Sequence, residues 1–221
     1  MDAAEEAWCD GRIVHELAAG SQFWRVLRAE PPANPLGYAR ICHPSDVRNR
    51  FTPIELDGRV VPSAYAGSTR EIALWESVLR SIRHKGIKRV PQHETSNRFL
   101  VQTRTIRPLK LLDLRRPKDA NLVAGRKRPP KLTAAPESAY AVTREWAQRL
   151  YTRIPKADGF IYESYQLPGD CIVLLQSRDP VAFRTVDSAR PVSKEPVRTI
   201  LRNEARQAGA VVDFGDFIDV P

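Results

Sequence analysis

The spacing of apolar residues predicts helices that pack on a core. Apolar residues recur at intervals of three and four after the sequence 68–71, which has the pattern of a capping box. In that box Ser68 would cap the helix and Glu71 would reach back to it. A second helix is predicted over Glu137 to Arg153, and a third begins at Lys194-Glu195-Pro196, where a proline suits the first turn.

Shorter apolar runs with strand-like patterns predict a sheet. The predicted strands are Phe23 to Leu27, Val60 to Ala66, Phe99 to Ile106, Leu109 to Leu114, Gly159 to Tyr162 and Cys171 to Leu175. Prolines between Ala29 and Pro62 leave little room for regular structure, so a long ordered loop is expected there. The elements together predict a mixed α/β (α+β) fold, with a modest central mixed sheet flanked by helices.

A chain of 221 residues is long enough for one substantial core, so we expect a single domain. Residues 1–22 are predicted to form an N-terminal helical extension, whose helix runs from Ala3 to Ala19 and stops at Gly20. Residues 23–190 would form the main domain. Residues 191–221 would add a C-terminal helix and an acidic tail packed on the same domain.

The longest apolar runs are far shorter than the about 20 residues that a membrane-spanning helix needs. Ile172 to Leu175 is an example. The N-terminus is acidic, where a secretory signal would be basic and then continuously apolar. We therefore expect a cytoplasmic protein with no membrane partner.

The cysteines and histidines do not indicate a disulfide framework or a metal site. The three cysteines are odd in number and widely scattered, and no histidine stands at a zinc-binding spacing. Cys171 lies in a predicted buried strand, where a free thiol acts as a small hydrophobic group. The usual glycine-rich phosphate loops are also absent from the sequence, so any nucleotide would be bound by side chains.

The chain carries a net charge of +9, and its pI is about 9.8. Such a charge attracts polyanions, and it leaves three partner classes open: nucleic acid, a nucleotide substrate, or an acidic protein. The densest basic stretch runs from Arg115 to Lys131 and is broken by prolines and a glycine. The prolines and the glycine are typical of an exposed loop. Because no aromatic residue is interleaved to stack on bases, a solvated connection is favoured over a nucleic-acid-binding segment.

Four patches carry side chains that could together bind an anionic ligand. They are Trp24-Arg25-Val26, Asn49-Arg50-Phe51, Tyr65-Ala66-Gly67 followed by Glu76, and Tyr162-Glu163-Ser164. Arginine binds phosphate bidentately and tyrosine offers a flat face. A glutamate can stabilise a developing sugar cation, and a serine can form hydrogen bonds to a ribose or an amide.

In this order the patches resemble the RES-domain family, the toxin halves of bacterial toxin–antitoxin pairs that degrade NAD. Leu111 to Leu114, Trp146-Ala147 and Asp158 to Ser164 resemble further landmarks of that family. The resemblance makes 23–190 a RES catalytic domain.

Family members often carry glycines just before the Arg-Phe motif, and this chain has none there. Arg48 is therefore an alternative to Arg50.

The resemblance implies an ADP-ribosyltransferase-like fold that cleaves the bond between nicotinamide and ribose in NAD. The enzyme would be an NAD phosphorylase or a glycohydrolase, because the acceptor is phosphate in some members and water in others. NAD would be its substrate, inorganic phosphate a co-substrate, and no cofactor would be needed. Other members are similar to transferases that pass ADP-ribose to a protein.

The motifs assign a role to each matching residue. Arg50 would bind the NAD phosphates or the acceptor phosphate, and Arg25 would be a second phosphate contact. Tyr65 would hold the nicotinamide–ribose end. Glu76 would stabilise the oxocarbenium-like transition state, and Ser164 would orient nicotinamide or its ribose.

The resemblance also implies a partner, an acidic antitoxin protein encoded nearby. Nucleic acid, if it is contacted at all, would be contacted only through this antitoxin. It leaves open whether the protein forms a homo-oligomer. Two other classes of protein stay open on the residues alone. One is a basic nucleic-acid-binding module that uses Arg115 to Lys131, and the other is a catalytically inactive interaction domain with the same fold.

Overall fold

The computed structural model of the chain describes residues 13–28, 49–80, 82, 88–115, 137–175 and 183–215. The strands are β1 (Val14–Leu17), β2 (Gln22–Arg28), β3 (Glu55–Leu56), β4 (Arg59–Val60), β5 (Ser63–Gly67), β6 (Arg89–Val90), β7 (Arg98–Thr105), β8 (Leu109–Asp113), β9 (Gly159–Glu163), β10 (Asp170–Leu175), β11 (Phe183–Thr185), β12 (Arg190–Pro191) and β13 (Val211–Val212). The helices are α1 (Arg70–Trp75), α2 (Tyr140–Arg153) and α3 (Val197–Gln207), with short 3-10 helices at Gln92–Glu94 and Glu137–Ala139.

Nine of the strands form one curled, mixed sheet. Its order is β1-β8-β9-β10-β5-β2-β7-β11, and β12 also pairs with β7. The β8–β9 pair is parallel and the other pairs of this sheet are antiparallel. Two small sheets stand apart: an antiparallel β3–β4 hairpin and a parallel β6–β13 pair. The predicted mixed α/β fold is confirmed, although the sheet has more strands than a modest one.

Side chains that alternate along the strands divide the core between the two faces of the sheet. On one face, Phe160 and Val173 pack under the buried side of α2, which presents Trp146, Leu150 and Tyr151. The other face carries a separate cluster. It consists of Phe23, Ala64, Ala66, Leu109, Leu111, Ile161, Ile172 and Leu174.

Helices α1 and α3 form a third cluster against the β2–β7 half of the sheet. Trp75 of α1 and Leu201 of α3 are buried in it together with Leu100 of β7. The Trp75 indole N–H also donates a 2.8 Å hydrogen bond to a carboxylate oxygen of Glu204 on α3. This bond connects α1 to the C-terminal helix α3.

Two glycines let α1 approach the sheet closely. A Cβ atom on Gly67, the last residue of β5, would lie 2.8 Å from Ile72 Cγ2 and 2.9 Å from the Ala73 nitrogen. A Cβ atom on Gly169, in the turn between β9 and β10, would lie 2.5 Å from Ile72 Cδ1, and Gly169 has a φ of +142°. Only glycine fits such contacts without a shift of its neighbours. Ile72 therefore sits between β5 and the β9–β10 turn.

The strands predicted from the sequence are found within a few residues of their expected limits, and so are the helices over 137–153 and after Pro196. The prediction of a helix from Ala3 to Ala19 is wrong for residues 14–17, which form β1 and pair with β8. Residues 1–12 lie outside the described residues. Pairing with a distant strand overrides the local helical pattern here. The domain limits at 22 and 190 stay a prediction.

The cap of α1 also differs from the prediction. Thr69, not Ser68, is the N-cap, and its hydroxyl accepts a 3.2 Å hydrogen bond from the Ile72 N–H. Both residue types are good caps, so the sequence defines the start of the helix only to within one residue. The loop expected from Ala29 to Pro62 contains the β3–β4 hairpin, and its residues 29–48 lie outside the described part of the chain.

Within the described residues, no helix combines the length and the apolar character needed to cross a membrane.

A charged cluster joins strands β1, β8 and β10 at one end of the sheet. The Arg115 guanidinium donates hydrogen bonds to Asp113 at 2.8 and 2.9 Å and to Asp170 at 2.9 Å, and lies 3.0 Å from His15 Nδ1. Burial alone would raise the pKa of Asp113, but the hydrogen bonds from Arg115 outweigh burial and lower it. The first residue of the predicted basic loop is thus engaged within the fold. Residues 116–131 lie outside the described part.

Asp113→Asn should lower the free energy of unfolding at pH 7 by about 1–3 kcal/mol, because it removes the charged partner of Arg115. The lowered pKa means that the Asp113 carboxylate stabilises the fold above the ordinary aspartate pKa of about 4, and that this contribution disappears as the pH falls through the folded-state value. Denaturant unfolding at pH 7 and below pH 4 should show the two proteins converging in acid. Asp187→Asn, at an exposed ion pair with Arg190, should change little. Equal stability of wild type and Asp113→Asn at pH 7 would contradict the assignment.

Candidate active site

Arg50 is anchored by its neighbour in the chain and by α2. Phe51 is fully buried, and its ring meets the Tyr162 ring edge-on with the centroids 4.9 Å apart. The Thr143 hydroxyl, on α2, donates a 2.6 Å hydrogen bond to the Arg50 carbonyl oxygen. The backbone at residue 50 is therefore held between β9 and α2.

The two terminal nitrogens of the Arg50 guanidinium are buried and have no hydrogen-bond acceptor among the described residues. Arg50 is 5% exposed, and neither terminal nitrogen has a hydrogen-bond partner among the described residues. The guanidinium carbon lies 5.6 Å from the centre of the Tyr140 ring, within the range of a cation–π contact. Burial would lower the pKa of Arg50, yet electrostatic interactions with Tyr162, Tyr140 and Glu76 and a polar contact with the Tyr140 hydroxyl, too loose to count as a hydrogen bond by geometry, raise it overall. A charged fork of donors in such a place can receive an anion.

Glu76 and Ser164 meet across the gap between α1 and β9. Glu76 is the C-cap of α1, and Ser164 follows the last residue of β9. The Ser164 hydroxyl donates a 2.6 Å hydrogen bond to Glu76 Oε1, which also accepts one of 3.2 Å from the Tyr165 N–H. Ser164 Oγ in turn accepts a 3.1 Å hydrogen bond from the Gln166 N–H. These bonds fix Oε1, while Oε2 accepts no hydrogen bond from the described residues.

Tyr65 connects β5 to the segment that carries Arg50. Its hydroxyl accepts a 3.3 Å hydrogen bond from the Phe51 N–H and shares one of 3.1 Å with the Thr52 hydroxyl. Its side chain packs against the cluster under α2. The phenol is thereby held beside the backbone of the residue that follows Arg50, on the same face of the sheet as Tyr162.

Arg25 contacts this group from behind. It is 3% exposed, and its Nε donates a 3.1 Å hydrogen bond to the carbonyl oxygen of Tyr65. Alternation along β2 places Arg25 on the same face as Phe23, whereas the Tyr65 side chain is on the other face. Arg48 lies outside the described residues. The structure therefore brings Arg50, Tyr65, Glu76 and Ser164 together, with Arg25 behind them, and the phosphate roles predicted for Arg25 and Arg48 stay predictions.

Tyr162, which belongs to one of the four predicted patches, and Cys171, which was predicted to be a buried hydrophobic group, also line this group of residues. Burial raises the pKa of Tyr162 well above its ordinary value, and Cys171 and Glu76 add to the effect. Burial, with a contribution from Glu76, also raises the pKa of the Cys171 thiol. Both groups are therefore neutral at physiological pH. A thiol in this state is a poor nucleophile, as expected for a cysteine inside a strand.

Two further residues near Arg50 were missed from the sequence. Tyr140 is the first residue of α2 and lies in the helix predicted over 137–153, but no motif in the sequence marks it as functional. Arg80 lies four residues after Glu76, and its guanidinium carbon is 5.2 Å from the centre of the Tyr140 ring. The spacing from Glu76 was the available signal for Arg80. The contact of Tyr140 with two arginines depends on the tertiary fold.

Metal binding has no support within the described ranges, where no group of three or more histidine, cysteine, aspartate or glutamate side chains could hold a metal ion.

Comparison with known proteins shows the family and the fold of the chain. A sequence model described as RES domain matches residues 22–198. The chain belongs to the RES-domain family. Among solved structures it is similar to a chain from the M. tuberculosis MbcT–MbcA toxin–antitoxin complex, with a TM-score of 0.58 and 14% sequence identity, covering 90% of this chain and 98% of that one. At this identity the likeness shows the fold alone. No curated protein matches the chain.

Arg50→Met should raise the free energy of unfolding at pH 7 by about 1–4 kcal/mol. Tyr162, the largest contributor to the raised pKa of Arg50, is neutral at this pH, so an apolar side chain of similar length removes a buried charge whose terminal nitrogens lack an acceptor among the described residues. Thermal and denaturant unfolding in phosphate-free buffer measure the change. Arg149→Met is the matched control, since Arg149 is exposed and pairs with Glu145, and it should have little effect. A destabilised Arg50→Met protein would mean that other groups in the fold already stabilise the buried charge of Arg50.

Proposed function

We propose that this RES-domain protein is an enzyme that cleaves the nicotinamide–ribose bond of NAD. Two neighbouring groups carry the proposal. One is the Glu76 carboxylate, which accepts a hydrogen bond from Ser164, and the other is the buried guanidinium of Arg50, whose terminal nitrogens have no hydrogen-bond partner among the described residues. NAD has the complementary charges. Its diphosphate is anionic, and the ribose next to nicotinamide becomes cationic when the glycosidic bond breaks.

In the reaction, the bond between the ribose carbon and the pyridinium nitrogen breaks, and its electron pair stays with the nitrogen. Nicotinamide then leaves as a neutral molecule without a proton, so one carboxylate is enough where sugar hydrolases use two. Glu76 faces the positive charge that develops on the ribose. Its Oε2 is the oxygen available to a ribose hydroxyl, since Ser164 and the Tyr165 N–H already engage Oε1.

The remaining groups hold the substrate. Arg50 binds a phosphate oxygen through its two terminal nitrogens. Tyr65 and Tyr162 form the wall against which the nicotinamide–ribose end is placed. The ribose cation is captured by an oxygen of phosphate, which makes the protein an NAD phosphorylase, or of water, which makes it a glycohydrolase. The proton that the acceptor loses goes to solvent. Transfer of ADP-ribose to a protein would use the same first step.

The partner proposed for this enzyme is an acidic antitoxin. The similar solved structure is described as a toxin–antitoxin complex, and this chain carries a net charge of +9. A basic surface favours fast capture by an acidic protein. The protein would then act as a toxin that depletes NAD when its partner is absent.

Glu76→Gln should fold like the wild type, because the amide keeps the shape of the carboxylate. Its rate of nicotinamide release from NAD should fall by about 100-fold or more, because the countercharge is lost. The turnover number should fall with little change in the Michaelis constant. Nicotinamide release is measured with purified protein, with and without phosphate. Glu163→Gln is the control, because Glu163 is exposed at the end of β9 next to Ser164, and it should retain full turnover. Wild-type turnover in Glu76→Gln would remove Glu76 from the mechanism.

Expression of the wild-type chain alone in bacteria should stop growth and lower cellular NAD. Expression of Glu76→Gln to the same soluble level should do neither, because the two proteins differ only in the proposed chemistry. Growth curves and extracted NAD levels, read together, measure the effect. Normal growth with unchanged NAD under wild-type expression would rule out an NAD-depleting toxin.

A further inference from the structure

Two arginines lie against one aromatic ring next to the proposed catalytic carboxylate. The guanidinium carbons of Arg50 and Arg80 are 5.6 and 5.2 Å from the centre of the Tyr140 ring. The distance between the two guanidinium carbons therefore cannot exceed the sum of these two distances. Tyr140 is 2% exposed, so its ring is held in place where the start of α2 meets the segment after α1.

Two like charges within this limit repel each other, and the burial of Arg50 strengthens the repulsion. The cost is largest for Arg50, whose terminal nitrogens find no acceptor in the described part of the chain. Contact with the Tyr140 ring offsets only part of it, because a cation–π contact is weaker than a charge-assisted hydrogen bond to an anion. An anion that reaches both guanidinium groups would relieve the repulsion and satisfy Arg50 at the same time.

We propose that Arg50 and Arg80, which both contact the Tyr140 ring, form a clamp for a diphosphate group, with Arg80 as a specificity-determining residue. A diphosphate has two separate sets of anionic oxygens, one for each guanidinium. A single phosphate would engage Arg50 and leave Arg80 with a weaker contact. The proposal rests on the proposed function, in which the substrate carries such a group.

Arg80 is better placed for this second contact than Arg25. Arg25 lies on the face of the sheet opposite the Tyr65 side chain and donates a hydrogen bond to the backbone carbonyl of Tyr65. Arg80 follows Glu76 by four residues and lies against the same tyrosine as Arg50. The clamp would thus set the distance between the diphosphate of the substrate and the carboxylate that faces its ribose.

The test measures binding of inorganic pyrophosphate and of inorganic phosphate by calorimetry, at one ionic strength, to the purified full chain. The wild type should bind pyrophosphate about tenfold or more tightly than phosphate. Arg80→Ala should lose about tenfold of the pyrophosphate affinity and little of the phosphate affinity. Arg80→Lys, which keeps the charge without the planar fork, should fall in between.

Arg149→Ala is the matched control, an exposed arginine on the surface of α2, and it should bind both anions like the wild type. Unfolding curves establish that each variant is folded, and Arg80→Gln replaces Arg80→Ala if the alanine variant is not. The clamp is overturned if the Arg80 variants bind pyrophosphate like the wild type. It is also overturned if the wild type binds pyrophosphate no better than phosphate, or not at all.

Nicotinamide release from NAD, measured on the same samples, separates this proposal from the proposed function. Loss of pyrophosphate affinity in Arg80→Ala without any NAD cleavage by the wild type would support the clamp and reject the function. NAD cleavage by the wild type with unchanged pyrophosphate affinity in Arg80→Ala would support the function and reject the clamp.

Discussion

The candidate site depends on a positive charge that the fold buries and does not neutralise through hydrogen bonds. Arg50 is 5% exposed, and its terminal nitrogens lack acceptors among the described residues. Unmatched charge inside a protein opposes folding. The surroundings nevertheless hold it in place: Phe51 is packed in the core, and Thr143 binds the Arg50 carbonyl. Such an arrangement is understandable if the charge serves an anionic ligand, because that ligand then returns the energy that burial costs.

The carboxylate of the site depends on close packing between α1 and the sheet. Gly67 and Gly169 both leave room for Ile72, and any side chain at either glycine would collide with it. This contact sets α1 against the β9–β10 turn and brings Glu76 at the end of α1 to Ser164 at the end of β9. Two residues that are 88 positions apart therefore share a short hydrogen bond, and one carboxylate oxygen is left for a substrate.

Much of this architecture could be predicted from local patterns. The β9–β10 pair, the position of Ser164 after β9 and the position of Glu76 beside an apolar stripe all follow from periodicity, and the order of the motifs pointed to the family that the comparison then showed. Features that depend on distant partners could not be predicted. Residues 14–17 became a strand because β8 offered an edge, and the contact of Tyr140 with Arg50 and Arg80 exists only after α2 has packed.

The central claim is that Arg50 keeps its charge for an anionic ligand, and binding of ADP-ribose to the wild type and to Arg50→Met tests it most directly. ADP-ribose carries the diphosphate and ribose of NAD but has no nicotinamide to lose, so calorimetry measures binding without turnover. The account predicts that the wild type binds ADP-ribose. The folded Arg50→Met protein should lose about tenfold or more of that affinity, as expected for a lost charge-assisted contact. Equal affinity of the two folded proteins for ADP-ribose would contradict it.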